Sequence, residues 1–324
     1  MIGADTGRPP GRVLFVAANP SIDRLYEVDR LAIGAIHRPE SMVAVPGGKG
    51  LNAARAAATL GGKVTAVGIV GGRAGDWIEE RLATLAIDAR MARSSGETRT
   101  CVSVLDRSSG AMTEFYERGE EIQPAAWKAL EAIVGSELDA GDVTAIALSG
   151  SLPLGAPPDG YGRIARIAAT RAGPVPIFAD ASGPALAAVL GEHPAVVKLN
   201  AEEAAESSGR SVSDASSAVE AAAILRDAGA MWVVVTLGSA GAVAVGSGQR
   251  THLIPPGIRG TYPVGSGDAF LGGLAVACAR GDSMVDAARF GLAAGIANAQ
   301  KPGAGELDPT AIDRILGRIR PVSM

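Results

Sequence analysis

Between residues 124 and 236, short apolar runs alternate with helical patterns, and that rhythm leaves the chain few folds to choose from. Residues 127–138 repeat apolar side chains at helical spacing, and 143–148 form a compact apolar run. The same pairing recurs as helix 161–171 with strand 175–178 and short helix 184–190 with strand 196–199. Helices over 201–207 and 213–228 then precede strand 232–236. The runs carry little alternation between apolar and polar residues, so both faces of each strand must be covered. That requirement predicts an α/β fold with a mainly parallel sheet between two helical layers. Only 4% of the residues are aromatic against 43 glycines, which suits close packing of helices on a sheet.

The same pattern extends to either side. Upstream lie a strand over 13–18, a helix over 51–60, a strand over 64–70 and a helix over 76–85. Downstream, 241–254 reads as a hairpin, followed by helices over 268–280, 283–300 and 309–319. Two segments break the rhythm with β-like pieces and turns, about 24–46 and about 97–118. They read as two halves of one small extra sheet beside the body. No linker is long enough to divide the chain, so a single domain over 1–324 is expected. Ligands of such folds bind beyond the carboxyl ends of the strands. Asn19, Asp23, Ser149, Ser151, Asp180, Asn200 and Gly238 all fall there.

Composition excludes several functions. The formal net charge is −4 with no block of like charge, which argues against nucleic-acid binding and against an anionic membrane surface. Two cysteines, Cys101 and Cys278, make no disulfide framework, and three scattered histidines make no zinc site. The first ten residues lack an apolar core and no apolar run spans a bilayer, so a cytoplasmic location is expected.

The chemistry is concentrated in Gly260-Thr-Tyr-Pro-Val-Gly-Ser-Gly-Asp-Ala-Phe-Leu-Gly-Gly-Leu274. A turn rich in glycine and proline runs into an apolar helix that starts beside Asp268. The unbonded amides of Gly265, Ser266 and Gly267 at such a helix start can hold an anion. An acid beside an anion hole is out of place if the task is only to bind phosphate. It fits a base that takes a proton from a hydroxyl while the amides steady the phosphoryl group under attack. By itself the motif is equally compatible with an acid capping a helix after a glycine turn. A second glycine turn, Pro46-Gly-Gly-Lys-Gly50, also opens a helix and lacks the spacing of a P-loop or of a dinucleotide fingerprint.

Together the two turns resemble the paired signatures of the PfkB (ribokinase-like) carbohydrate kinases. The first is Pro46-Gly-Gly-Lys-Gly-Leu-Asn-Ala-Ala-Arg-Ala-Ala-Ala-Thr-Leu-Gly61 and the second Val264-Gly-Ser-Gly-Asp-Ala-Phe-Leu-Gly-Gly273. Asn19-Pro-Ser-Ile-Asp23, Gly150-Ser-Leu-Pro153, Asp180-Ala-Ser-Gly183, Lys198-Leu-Asn-Ala-Glu-Glu203 and Thr236-Leu-Gly-Ser-Ala-Gly241 match in order. The likeness runs from about 12 to 320 and is strongest to the branch of 1-phosphofructokinases and tagatose-6-phosphate kinases.

The resemblance implies a ribokinase-like three-layer αβα sandwich whose two β-rich segments form a lid. It also implies transfer of the ATP γ-phosphoryl group to a sugar or sugar-phosphate hydroxyl, with Asp268 as base. ATP would be met by Lys198, Asn200, Thr236, Gly238, Gly241 and Asn298. Mg²⁺ would be held near Asn200 and Glu203 through water. The acceptor would be met by Asp23, Gly47, Gly48, Lys49, Asn52 and Arg99. Pairing of two lids in a homodimer belongs to the same expectation.

Two departures bear on the substrate and the ions. The phosphosugar branch has Thr-Arg-x-Asn-x-Lys on a lid strand, and this chain reads Thr98-Arg-Thr-Cys-Val-Ser103. Arg99 remains while Cys101 and Ser103 replace the amide and the lysine, so free and phosphorylated sugars stay equally open. Arg38, Arg118 and Lys49 are the candidate compensating cations. Tyr262 occupies the place where potassium-activated members carry an acid, so dependence on a monovalent cation is not predicted. A nucleoside kinase, with Tyr26, Phe115 and Tyr116 for stacking, and a non-catalytic sugar- or nucleotide-binding regulator are the competing readings.

Overall fold

A computed structural model describes residues 11–324; the expectation about a leader in the first ten residues lies outside them. The apolar runs form the centre of a ten-stranded sheet. In chain order its strands are β1 (Arg12–Ala17), β4 (Lys63–Val70), β5 (Asp88–Arg93), β8 (Val143–Ser149), β9 (Ile177–Asp180), β10 (Val196–Asn200), β11 (Trp232–Thr236), β12 (Ala242–Gly246), β13 (Gln249–Ile254) and β14 (Arg320–Ser323). Their spatial order is β14-β13-β12-β11-β10-β9-β8-β1-β4-β5. The seven strands from β5 to β11 are parallel, and β12, β13 and β14 continue antiparallel at one edge.

The two-residue period of β1 shows how the sheet is covered on both faces. Val13, Phe15 and Ala17 enter one buried cluster, and Leu14, Val16 and Ala18 enter the other. The first cluster contains the buried faces of α1 (Lys49–Thr59), α2 (Gly72–Thr84), α8 (Ser266–Ala279), α9 (Met284–Asn298) and α10 (Ile312–Leu316). The second contains those of α3 (Pro124–Asp139), α4 (Gly160–Arg171), α5 (Gly183–Leu190), α6 (Ala201–Ser208) and α7 (Ala215–Asp227). These are the three layers that the strand runs demanded, in the ribokinase-like arrangement.

The interrupting segments form a separate four-stranded sheet, ordered β3-β2-β6-β7, from β2 (Ser21–Val28), β3 (Ser41–Gly47), β6 (Thr100–Asp106) and β7 (Met112–Tyr116). Register places Asp23, Val45, Cys101 and Tyr116 in one row across it, with Leu25, Val43, Ser103 and Glu114 in the next. All eight share one face. β2 starts at Ser21, earlier than the first β-like piece in the sequence, so Asp23 sits within a strand and not in a turn before it.

Two edge strands went unforeseen. β5 reads Asp-Ala-Arg-Met-Ala-Arg and pairs with β4 on one side only, so half its side chains face water and mask the apolar signal. The helix expected over 309–319 is a 3-10 turn, Pro309–Ala311, and the short α10; the chain then leaves as β14. No described helix is long and apolar enough to cross a membrane.

Phe15 is fully buried in a central strand. Phe15→Ala is expected to cost about 3–5 kcal/mol of unfolding free energy, read from denaturant midpoints at unchanged slope. A loss below about 1 kcal/mol would show that the layer over β1 collapses to fill the cavity.

Candidate active site

The glycine turn into α8 is forced by its surroundings. Gly265 caps α8 in the left-handed region with φ 82°, and a Cβ there would lie 2.5 Å from the Gly305 amide nitrogen. The Asn298 side chain, fully buried, locks the same turn. Its amide donates to the Val264 carbonyl at 3.1 Å and to the Tyr262 carbonyl at 3.4 Å, and its oxygen accepts from the Gly305 amide at 2.8 Å. The resemblance put Asn298 beside adenine. Here its polar atoms are committed to backbone, and it braces the turn instead.

The amides of this helix start differ in availability. Ser266 N–H donates to the Pro263 carbonyl at 3.1 Å, so it is not the free donor the sequence reading assumed. Among the described residues no protein acceptor is bonded to the Gly265 or Gly267 amide. The Ser266 hydroxyl is buried without a partner. Lys198 Nζ reaches the same place: a Cβ on Gly267 would lie 2.9 Å from it. Two unbonded amides and the Lys198 ammonium group thus lie at one helix start, where an anion can be held.

Asp268, on the first turn of α8, is buried with 7% of its surface exposed. Burial and the nearby Asp180 carboxylate push its pKa up to about 6, against the opposing pull of Lys49, Lys198 and the Asn52 amide. Asn52 Nδ2 donates to Asp268 at 3.0 Å and to Asp23 at 3.1 Å, joining the two acids through one amide. Arg55 fixes which end of that amide faces them. Its Nη1 donates to Asn52 Oδ1 at 3.1 Å, so the NH₂ group must turn to the carboxylates. Arg55 is itself held by the Pro46 and Ala304 carbonyls and by Glu306 at 2.6 Å. An arginine inside an alanine-rich helix, three residues after Asn52, was the available sequence signal for this role.

A second carboxylate, Asp180 at the end of β9, organises the lysines. It is fully buried and accepts from Lys198 at 2.6 Å and from Lys49 at 3.0 Å. Burial alone would raise its pKa, but the two ammonium groups outweigh that and hold it below the ordinary value. Lys49 Nζ also meets Glu203 at 2.5 Å. Burial lowers the Lys49 pKa, and Asp180 and Glu203 overcome it, leaving the group above the ordinary lysine range. The sequence reading set Lys49 among the acceptor ligands. Its ammonium group instead joins the cluster of Asp180 and Glu203, on the side of Lys198 and the anion turn.

Asn200 and Glu203 form a capping box on α6, with Glu203 N–H to Asn200 Oδ1 at 2.8 Å and Asn200 N–H to Glu203 Oε2 at 2.9 Å. Thr236 pairs with Asn200 across β10 and β11, and its hydroxyl donates to the Leu199 carbonyl at 3.3 Å. Gly238 opens a 3-10 turn that Gly241 closes. These residues line up along neighbouring strand ends, as the sequence order requires. Among the described residues no group of three His, Cys, Asp or Glu is arranged to hold a metal. Both oxygens of Asp180 and of Glu203 are already bonded. The donor set therefore fits Mg²⁺ held through water and through a nucleotide's own phosphates, and does not fit direct coordination by carboxylates.

On the lid side, a pocket opens between the inner face of the small sheet and the body. Asp23, Leu25, Val43, Cys101, Tyr116 and Tyr262 are among its walls. Gly47 ends β3, and the Gly48 amide donates to Asp23 at 3.2 Å. Asp268 does not line this pocket directly; it lies one side chain deeper, behind the Asn52 bridge from Asp23. Arg99 is not on the wall either. Its guanidinium donates to the Asn19 and Glu117 carbonyls at 3.0 and 3.2 Å and borders a neighbouring cavity with Thr98 and Glu120.

Residues 16–311 match the model of the pfkB family carbohydrate kinases. Phosphofructokinase-2 from Escherichia coli, solved in complex with potassium, is 27% identical with a TM-score of 0.85, over 95% of this chain and 98% of its own. A possible 1-phosphofructokinase from Thermotoga maritima is 22% identical with a TM-score of 0.88, covering 97% and 99%. Ribokinase from Arabidopsis thaliana, complexed with ribose and ATP, is 21% identical with a TM-score of 0.71, covering 95% and 99%. The last two are likenesses of fold.

The raised pKa of Asp268 has a measurable cost. Unfolded, the group titrates near 3.8, and folded near 6. Below both values it is neutral in either state; between them stability falls as pH rises, and above about 6 the full penalty persists. Asp268→Asn should therefore be more stable than the parent at neutral pH by about 1–3 kcal/mol, and nearly equal to it in acid. A variant less stable at neutral pH would mean that the carboxylate is a net structural support.

Proposed function

The chain belongs to the pfkB family of carbohydrate kinases, and from that premise we propose that Asp268 is the base for phosphorylating a sugar hydroxyl with ATP. The observation that carries this reading is a buried acid at a helix start whose Gly265 and Gly267 amides are unbonded. The acceptor enters under the lid, its hydroxyls meeting Asp23, with the reacting one passing Asn52 to reach Asp268. The γ-phosphoryl group lies over the Gly265–Gly267 turn, and Lys198 and the Ser266 hydroxyl face its oxygens. The hydroxyl proton moves to an Asp268 oxygen as the new O–P bond forms. The bond from the γ-phosphorus to the bridging oxygen breaks, and ADP leaves with that electron pair.

Transfer of this kind rests mainly on positioning and charge compensation. Mg²⁺, when bound with the nucleotide, supplies neutralisation of phosphate charge. Lys49 and Lys198 add two positive charges that Asp180 keeps in place. Asn200, Thr236, Gly238 and Gly241 offer the strand ends along which the rest of the nucleotide runs. The lid excludes water, without which an activated phosphoryl group would be hydrolysed.

The acceptor is a sugar or a sugar phosphate. Tyr116 and the apolar wall of Leu25 and Val43 also suit an acceptor with a flat, weakly polar part, which keeps a nucleoside among the substrates to test. A panel of fructose, tagatose, ribose, their phosphates and adenosine, followed by ADP release, separates these. Turnover confined to phosphates would mean that Arg99 turns back toward the pocket when substrate is present.

Asp268→Asn is expected to bind ATP as the parent does and to lose at least about a thousandfold in kcat, since both base and alignment fail. Near-parental turnover would place the base elsewhere. In the parent, kcat/KM should fall with one proton as pH drops through about 6, because only the ionised Asp268 accepts the proton. A rate independent of pH from acid to neutral would remove it as the titrating group. Pairing through the lids predicts the mass of a dimer in solution, and a monomer at working concentration would overturn that part.

A further inference from the structure

Tyr262 has two attachments that the reaction scheme above does not use. It lies six residues before Asp268, in the loop that leads into the anion turn. Its backbone is fixed to the body: the Tyr262 N–H donates to the Ala299 carbonyl at 2.9 Å, and its own carbonyl accepts from Asn298. Its side chain runs the other way. The hydroxyl donates to Glu27 Oε1 at 2.9 Å, and Glu27 belongs to lid strand β2. Glu27 shares the inner face of the lid with Asp23 and Leu25 by the two-residue period of that strand. Tyr262 lines the acceptor pocket, as does Cys101.

We propose that Tyr262 is a positioning residue that latches the lid, through Glu27, to the loop carrying the anion turn and the base. The inference rests on the kinase reading for its kinetic consequence only. The tie joins a strand of the lid to a loop of the body that lines the same pocket, so it sets the population of closed lid. The partner is a carboxylate, which makes the tie stronger than a bond between neutral groups. The tyrosine is anchored by the same Asn298 that locks Gly305 against Gly265, so lid closure and the shape of the anion turn share one support.

A latch of this kind acts on the acceptor more than on ATP. An acceptor bound under a lid that is closed only part of the time has its apparent affinity reduced by that fraction. Tyr262→Phe keeps the ring and removes the tie. It should raise the acceptor KM by about 3- to 30-fold with kcat changed less and the ATP KM unchanged. Glu27→Ala should do the same from the lid side. Glu27→Gln keeps an acceptor oxygen and should lie closer to the parent. The double variant Tyr262→Phe/Glu27→Ala should be no worse than either single change, because both break one interaction.

Cys101 supplies a readout that needs no turnover. It is 6% exposed on the inner face of the lid, so a lid that opens more often exposes it more often. Alkylation of the full-length protein by iodoacetamide, followed at Cys101 by peptide mapping so that Cys278 does not interfere, should be faster in Tyr262→Phe and in Glu27→Ala to the same degree. Unchanged labelling with an unchanged acceptor KM, or additive effects in the double variant, would overturn the latch. A parent protein that labels as expected and transfers no phosphate would sink the kinase reading and leave the latch standing.

Discussion

The site depends on one buried carboxylate, Asp180, whose two oxygens each hold a lysine. A carboxylate without exposed surface at a strand end is tolerable only when paired, and the two ammonium groups that pair it are thereby fixed in place. Lys198 is carried to the start of α8 and Lys49 to the start of α6. Both are thereby preorganised, with little reorganisation left to do. Removing Asp180 would release Lys198 and leave Lys49 held by Glu203 alone.

The second constraint is the economy with which Asn52 is used. One NH₂ group serves Asp23 at the acceptor pocket and Asp268 at the anion turn, and Arg55 prevents it from flipping. Asp23 and Asp268 are therefore held at a fixed separation. Arg55 extends the same support to the carbonyls of Pro46 on the lid strand and Ala304 on the loop beside Gly265. Pro46, Asp23, Asp268 and the loop at Ala304 are joined by hydrogen bonds across segments far apart in sequence. Such a network is rigid when every member is satisfied, and the breaking of one member is felt by all.

Much of this was legible beforehand because parallel strands buried on both faces are apolar throughout and because glycine turns are punctuated. The layers, the small sheet and the neighbourhood of Asp268, Asn52, Asp23 and Lys198 follow from those two signals and from the family likeness. What escaped depends on side-chain direction, which sequence order does not encode. Arg99 was expected to point under the lid, yet it bonds two carbonyls beside a neighbouring cavity. Lys49 follows the glycines of the first turn but reaches to Asp180 and Glu203. Asn298 occupies the expected place in the chain with its amide spent on backbone. β5 and β14 escaped because an edge strand need not look apolar.

The central claim is that Asp268 accepts the proton of the reacting hydroxyl while the Gly265–Gly267 turn holds the phosphoryl group. It is tested most directly by a crystal structure of the protein with a non-transferable ATP analogue and an accepted sugar. The account predicts one sugar hydroxyl within about 2.6–3.2 Å of an Asp268 oxygen and the terminal phosphate against the Gly265 and Gly267 amides. A hydroxyl aligned on another acid, or a terminal phosphate away from that turn, would contradict it.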